Sequence, residues 1–174
     1  MILLWFVLAF IVLLGWVVFF GAPYVPAKIV HVKKAFDELY DLKPSDVLVD
    51  LGSGDGKVLR EAVGRGVRAI GYELNPVLVA ISKFLERNHP HATTKLANIW
   101  QVNLPSETTV IYVFTDGRDA KKLARKIQTE ATRLKKPLHV LSYGFELPIG
   151  QQVKKNNSHF LYKFAPLQSK KAQV

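Results

Sequence analysis

The chain has 174 residues, no cysteine and a formal charge of +10 from 24 Lys+Arg against 14 Asp+Glu. Without cysteine there is no disulfide framework and no thiolate metal site, and the five histidines show no metal-ligand spacing. The basic balance suits nucleic acid, an anionic membrane surface or an acidic partner, but the lysines are dispersed in pairs such as Lys121-Lys122 and Lys154-Lys155, as on a solvated surface.

Residues 1–22 contain no charged side chain. A helix of about 20 residues rises about 30 Å, the thickness of a hydrocarbon core, so this run predicts a transmembrane anchor set in lipid. Trp5 and Trp16 fall toward its ends. A cleaved signal peptide would have a basic start, a shorter apolar core and a small-residue cleavage site. Here no Lys or Arg precedes the run, and Pro23 directly follows Ala22. The first flanking charges, Lys28, Lys33 and Lys34, lie on the C-terminal side and predict that the following domain is cytoplasmic or topologically equivalent to it.

Residues 23–45 read as a proline-stiffened linker and a helix, Ile29 to Tyr40, with Ile29, Val32, Phe36, Leu39 and Tyr40 on one face. The domain proper spans 46–167, roughly the 150 residues that a single hydrophobic core needs when taken with the linker. Strands are predicted at Val47–Asp50, Ala69–Glu73, Thr93–Ala97, Thr109–Phe114 and Leu138–Tyr143. Helices are predicted at Lys57–Arg65, from an Asn75-Pro76 cap to about Asn88, and at Asp119–Leu134. Gln151–Lys155 and His159–Phe164, split by Asn156-Asn157, read as a hairpin, and 168–174 as a polar tail. Strand–helix alternation closing in a hairpin predicts an α/β fold with a mostly parallel, Rossmann-like sheet.

The most informative stretch is Val47-Leu48-Val49-Asp50-Leu51-Gly52-Ser53-Gly54-Asp55-Gly56-Lys57. An apolar strand ends in an acid, a glycine-rich turn follows, and a helix follows that. The next strand, Arg68-Ala69-Ile70-Gly71-Tyr72-Glu73, also ends in a carboxylate. Neighbouring strands that bring a glycine loop and an acid to one edge make a nucleoside crevice, with the acid placed for ribose hydroxyls. The dinucleotide fingerprint G-x-G-x-x-G is broken, because Lys57 stands where its last glycine belongs. The string D-L-G-S-G-D-G instead resembles motif I of the class I methyltransferases that use S-adenosyl-L-methionine. That resemblance implies cofactor contacts from Asp50, Gly52, Ser53, Gly54 and Gly56, with Asp50 toward the ammonium and Glu73 bidentate to the ribose. Leu74 and Asn75 would line the adenine. Asn98 can accept from its exocyclic amine through the amide oxygen. Ile99 would touch the ring, and Trp100 is either a wall of the site or core. Thr115 and Asp116 end the fourth strand on the substrate side, where Asp116 is either an acceptor for an incoming amine or a turn acid.

The apolar N-terminus, Pro23-Tyr24-Val25-Pro26-Ala27, D-L-G-S-G-D-G and Gly71-Tyr72-Glu73-Leu74-Asn75-Pro76 occur in that order. Together they resemble the small membrane-anchored protein-lysine methyltransferases of mitochondrial adenine nucleotide translocase and the ATP synthase c-subunit, and their bacterial relatives. The resemblance spans roughly residues 1–115. It implies a membrane protein as substrate, with a lysine near the bilayer surface. It also implies a location on the matrix side of the inner membrane in a eukaryote, and places Tyr24, Val25 and Pro26 beside the active site, with Tyr24 and Asp116 as the candidate catalytic residues. The chain departs from the family at Asn98, where an acid is usual, and in Thr115-Asp116-Gly117-Arg118-Asp119. A nucleic-acid methyltransferase is disfavoured, since the [DN]-P-P-[YFW] motif that holds a base amine after the fourth strand is absent. A small-molecule or lipid methyltransferase and an inactive membrane-anchored scaffold remain as alternatives.

Overall fold

The computed structural model describes residues 3–8, 26–114 and 117–167. The strands are β1 (Val47–Leu51), β2 (Arg68–Glu73), β3 (Ala92–Leu96), β4 (Val110–Val113), β5 (Leu138–Tyr143), β6 (Gln151–Lys155) and β7 (His159–Phe164). They form a seven-stranded sheet in the order β3-β2-β1-β4-β5-β7-β6. The first five run parallel, and β7 enters antiparallel beside β5 with β6 as its hairpin partner. This is the expected Rossmann-like sheet with a C-terminal hairpin. The helices are α1 (residues 3–8), α2 (Ile29–Lys34), α3 (Lys57–Val63), α4 (Pro76–Glu86) and α5 (Ala120–Leu134).

Every residue of β1 is buried, because helices cover both faces of a parallel sheet. Val47, Val49 and Leu51 pack with Leu123, Ala124, Ile127 and Ala131 of α5 on one face. Leu48 packs with Val32, Phe36, Leu59 and Ala62 of the α2–α3 layer on the other. Side chains alternate along a strand, so Asp50 shares its face with Leu48 and points toward α3. The entry to β1 is fixed by polar bonds. Asp46 accepts from the Lys43 N–H at 2.9 Å and the Thr109 hydroxyl at 2.7 Å, and Thr109 in turn accepts from the Val47 N–H at 3.0 Å.

The helix expected over Ile29 to Tyr40 differs in one respect. After α2 the backbone widens into a π-turn at Ala35–Leu39, and Tyr40 is extended at φ −140°. The extra residue per turn brings Ala35, Phe36 and Leu39 into the core with Val32, while Ile29 stays 36% exposed.

The anchor expected at 1–22 falls largely outside the described residues. Within them, residues 3–8 are helical with exposed apolar side chains, and no described helix is long and apolar enough to cross a membrane.

Candidate functional site

The strand order reverses between β1 and β4, so the loops leaving their C-terminal ends diverge and open a crevice. The glycine loop is strapped to β2. The N–H groups of Gly52 and Ser53 donate to the Tyr72 carbonyl at 2.9 and 3.2 Å. Glu73 accepts from the Gly54 N–H through Oε2 at 2.9 Å and from the Asn75 N–H through Oε1 at 2.8 Å. One carboxylate therefore ties the loop after β1 to the turn after β2, and each of its oxygens keeps a further lone pair.

Two glycines have distinct reasons to be glycine. Gly52 is left-handed at φ +97° and a Cβ there would face open space, so its bare backbone lines the crevice. Gly56 is left-handed at φ +75° and a Cβ there would lie 2.1 Å from Ser82 Oγ and 2.8 Å from Glu86 Oε1. Those atoms belong to a buried network beneath the loop. Ser82 donates to Glu86 at 2.7 Å, Glu86 takes the Thr94 N–H at 3.0 Å, and the Thr94 hydroxyl bonds Glu86 as well.

Asp50 is 3% exposed inside this frame. Burial raises its pKa well above the ordinary carboxylate range, and the negative charges of Glu73 and Asp55 raise it further. Arg60 pairs with Asp55 at 3.7 Å. Ser53 is buried over Gly71, where a Cβ would come within 2.4 Å of the Ser53 hydroxyl oxygen. That hydroxyl is buried without a hydrogen-bond partner among the described residues. The need for glycine at 71 was not visible in the sequence. A glycine amid β2's bulky residues is the one signal that marks close approach.

Leu74 is exposed, and Asn75 caps α4 by accepting from the N–H groups of Val77 at 2.9 Å and Leu78 at 3.4 Å. After β3, the Asn98 side-chain oxygen takes the Trp100 N–H at 3.0 Å, closing a local turn, and keeps its second lone pair. Ile99 and Trp100 pack half-buried against the α5-side core, and the Lys122 ammonium sits 4.0 Å from the Trp100 ring centroid. Trp100 thus serves as partial core. Its loop is held by α5, with Lys126 donating to the Val102 carbonyl at 2.6 Å and the Leu104 N–H donating to Glu130 at 2.7 Å.

The acceptor side contains a group that sequence reasoning passed over. At the ends of β4 and β5, the Phe114 and Tyr143 rings meet edge-on at 4.7 Å, and Tyr143 lies 4.7 Å from the His159 ring. The Tyr143 hydroxyl bonds His31 Nδ1 at 3.0 Å, and the Tyr112 hydroxyl bonds His159 Nε2 at 2.8 Å. Burial, aided by His31, holds His159 down at about 4, so it is neutral at physiological pH. The histidines looked scattered because residues 31 and 159 meet only through the sheet. The described residues contain no His/Cys/Asp/Glu group suited to a metal. Tyr24, Val25, Thr115 and Asp116 lie outside the described residues, while Pro26 is described and exposed.

Solved structures of similar shape bear on the fold. An RNA methyltransferase from Salinibacter ruber, solved with S-adenosyl-L-homocysteine, superposes with a TM-score of 0.69 at 22% identity, over 84% of this chain and 97% of its own. A geranyl diphosphate methyltransferase solved with SAM gives 0.54 at 16% identity, over 66% and 48%. Sequence relatives are more specific. The ATP synthase c-subunit lysine N-methyltransferase of Xenopus laevis is 34% identical, over 72% of this chain and 54% of that protein. The human protein of the same name is 31% identical over 72% and 53%, and the mouse adenine nucleotide translocase lysine N-methyltransferase 33% identical over 75% and 56%. The chain spans about half the length of these curated relatives. The model of the ANTKMT methyltransferase domain matches residues 50–154, more than half of the chain, from the acid of β1 through the hairpin. The chain belongs to the ANTKMT methyltransferase domain family.

Proposed function

We propose that this chain is an S-adenosylmethionine-dependent methyltransferase whose acceptor is a lysine of an integral membrane protein. The observation that carries the cofactor is the charge of the crevice. Asp50, Asp55 and Glu73 converge in a protein of net charge +10, and burial leaves Asp50 short of a cation. A pyrophosphate would be repelled there, whereas a ligand with an ammonium and a sulfonium relieves the repulsion. The buried, unpartnered Ser53 hydroxyl and the open side of Gly52 fit a ligand seated on the loop. Glu73 retains a lone pair on each oxygen for ribose hydroxyls, and Asn98, Ile99 and Leu74 offer an adenine its polar edge and its walls. When bound, the cofactor supplies a methyl group activated on sulfur.

The chain's own contribution is alignment and proton handling. The acceptor amine must be neutral to attack, so its proton has to leave before transfer. Phe114 and Tyr143 give the acceptor side an apolar wall that lowers an amine's pKa by desolvation. Asp116 and Tyr24 are the candidates to orient the amine. Residues 1–22 serve as a single-pass anchor in lipid, with Lys28, Lys33 and Lys34 holding the domain on the cytoplasmic side, or on the matrix side in a mitochondrion. The short proline-containing linker keeps the crevice near the bilayer and raises its effective concentration toward membrane substrates. The names of the relatives, which specify lysines of two membrane proteins, support this reading.

The test is incubation of the full chain with isotope-labelled S-adenosylmethionine and its own membrane fraction, followed by mass spectrometry of labelled species. Methyl-lysine in an integral membrane protein is expected, and Tyr24→Ala should lower transfer more than cofactor affinity. Label confined to RNA, lipid or soluble small molecules refutes the reading.

A further inference from the structure

Helix α4 is amphipathic in the reverse sense. Its buried side holds Val79, Ser82 and Glu86, two of them polar, committed to the network beneath Gly56. Its solvent side holds Val77, Ile81, Phe84 and Leu85, at spacings that place them along one stripe, with Phe84 61% and Ile81 42% exposed. The stripe begins at the crevice. Leu74, directly after Glu73, is 47% exposed, and Leu96, the register partner of Glu73 on the edge strand β3, is 58% exposed. Lys83, Arg87 and Lys95 are exposed among these residues. Glu86, the one acid of α4, is turned inward, so the outer side of α4 carries cations and no acid. Arg87 lies over Phe84, 4.3 Å from the ring centroid, with its charge at the rim of the apolar stripe.

We propose that this outer side of α4, with Leu74 and Leu96, lies on an anionic bilayer surface. Apolar side chains would enter the headgroup boundary and Lys83, Arg87 and Lys95 would meet the lipid phosphates. Two observations favour a bilayer over a second protein. The stripe is bordered by one sign of charge, complementary to anionic lipid. The same chain carries 22 uncharged N-terminal residues, a length suited to the same phase. The inference rests on the membrane reading above and adds an orientation to it. The lip of the crevice at Glu73-Leu74 faces the headgroups, the depth at which a lysine at the end of a substrate's membrane span sits.

The chain has no cysteine, so single nitroxide labels can be placed cleanly. We would attach them to the full chain at Ile81→Cys, Phe84→Cys and, on exposed α5, Thr129→Cys. The chain would be reconstituted in phosphatidylcholine vesicles with and without phosphatidylglycerol. Collision rates with oxygen and with a water-soluble nickel chelate report depth. At 81 and 84 oxygen collisions should dominate in the anionic vesicles, and at 129 the nickel chelate should dominate. Adding Lys83→Glu and Arg87→Glu should move the label at 84 several-fold toward water. Nickel dominance at 84 in chain that floats with the vesicles overturns this proposal alone. Shielding of 84 from both reagents, or spin coupling between copies, overturns it in favour of a protein contact. Chain that fails to float with vesicles overturns the anchor as well.

Discussion

Glu73→Gln is nearly isosteric, yet it should disable the frame of the crevice. The carboxylate receives two backbone N–H groups, one per oxygen, from Gly54 at 2.9 Å and Asn75 at 2.8 Å. Glutamine offers one oxygen and one NH₂, so whichever way the amide is flipped, a donor faces a donor. A hydrogen bond to a charged group is worth about 1.5–3 kcal/mol, and the half-exposed position favours the low end. A loss of about 1.5 kcal/mol lowers the melting temperature of a domain of this size by about 3–6 °C. The same loop holds Gly52 and Ser53 in the crevice, so affinity for S-adenosylmethionine should fall by about tenfold or more, since about 1.4 kcal/mol is a factor of ten. Differential scanning calorimetry reads the first effect and isothermal titration the second. Loss of affinity with an unchanged melting temperature would mean that Glu73 serves the ligand alone and that the tie between the two loops carries no weight. No change in either refutes the reasoning entirely.

Asp50→Asn should stabilise the ligand-free chain at pH 8, because burial and neighbouring acids raise the aspartate pKa and make its charged form costly. The gain should fade toward pH 4, and S-adenosylmethionine affinity should fall, measured by denaturation and titration on the same preparations. Gly56→Ala should cost more than Gly52→Ala in urea unfolding. Both lose about 1–2 kcal/mol for a left-handed residue, but only at 56 does the Cβ strike Ser82, at 2.1 Å. His159 stays neutral down to about 4 against an ordinary 6.5, so protonation favours the unfolded chain. Its contribution is intact above pH 6.5 and is lost as pH falls to about 4, on the order of 3 kcal/mol. His159→Gln should flatten that part of the stability–pH curve, and an unchanged slope would place His159 in contact with solvent.

The sheet was legible in the sequence because buried parallel strands are short apolar runs with little ambiguity, and the glycine loop announces its own turn. The acids at strand ends were legible for the same reason, since Asp50 and Glu73 interrupt such runs. The second employment of each side chain was not legible. Asn75 reads as an adenine contact but its oxygen caps α4, and the Asn98 oxygen closes a turn on Trp100. Such commitments are local backbone geometry, which residue type alone does not reveal. The π-turn at Ala35–Leu39 was hidden because the apolar spacing of Val32, Phe36 and Leu39 fits an ordinary helix. The Tyr143–His31 and Tyr112–His159 pairs join residues more than 40 positions apart, and the sheet alone brings them together.

Helix α4 shows how one local requirement propagates. Gly56 must be glycine because Ser82 and Glu86 fill the space where a side chain would sit, and those two residues need each other and Thr94 to be satisfied while buried. Polar residues committed inward to the floor of the glycine loop leave α4 only its apolar residues to turn outward. In an ordinary soluble domain that arrangement would expose Phe84 and Ile81 to water with no compensating contact. If the outer side meets lipid, both sides of the helix are satisfied, and support for the loop and attachment to the bilayer become consequences of one orientation. Substituting the stripe with polar residues should then leave the fold and the loop undisturbed and reduce only the transfer to membrane-embedded acceptors.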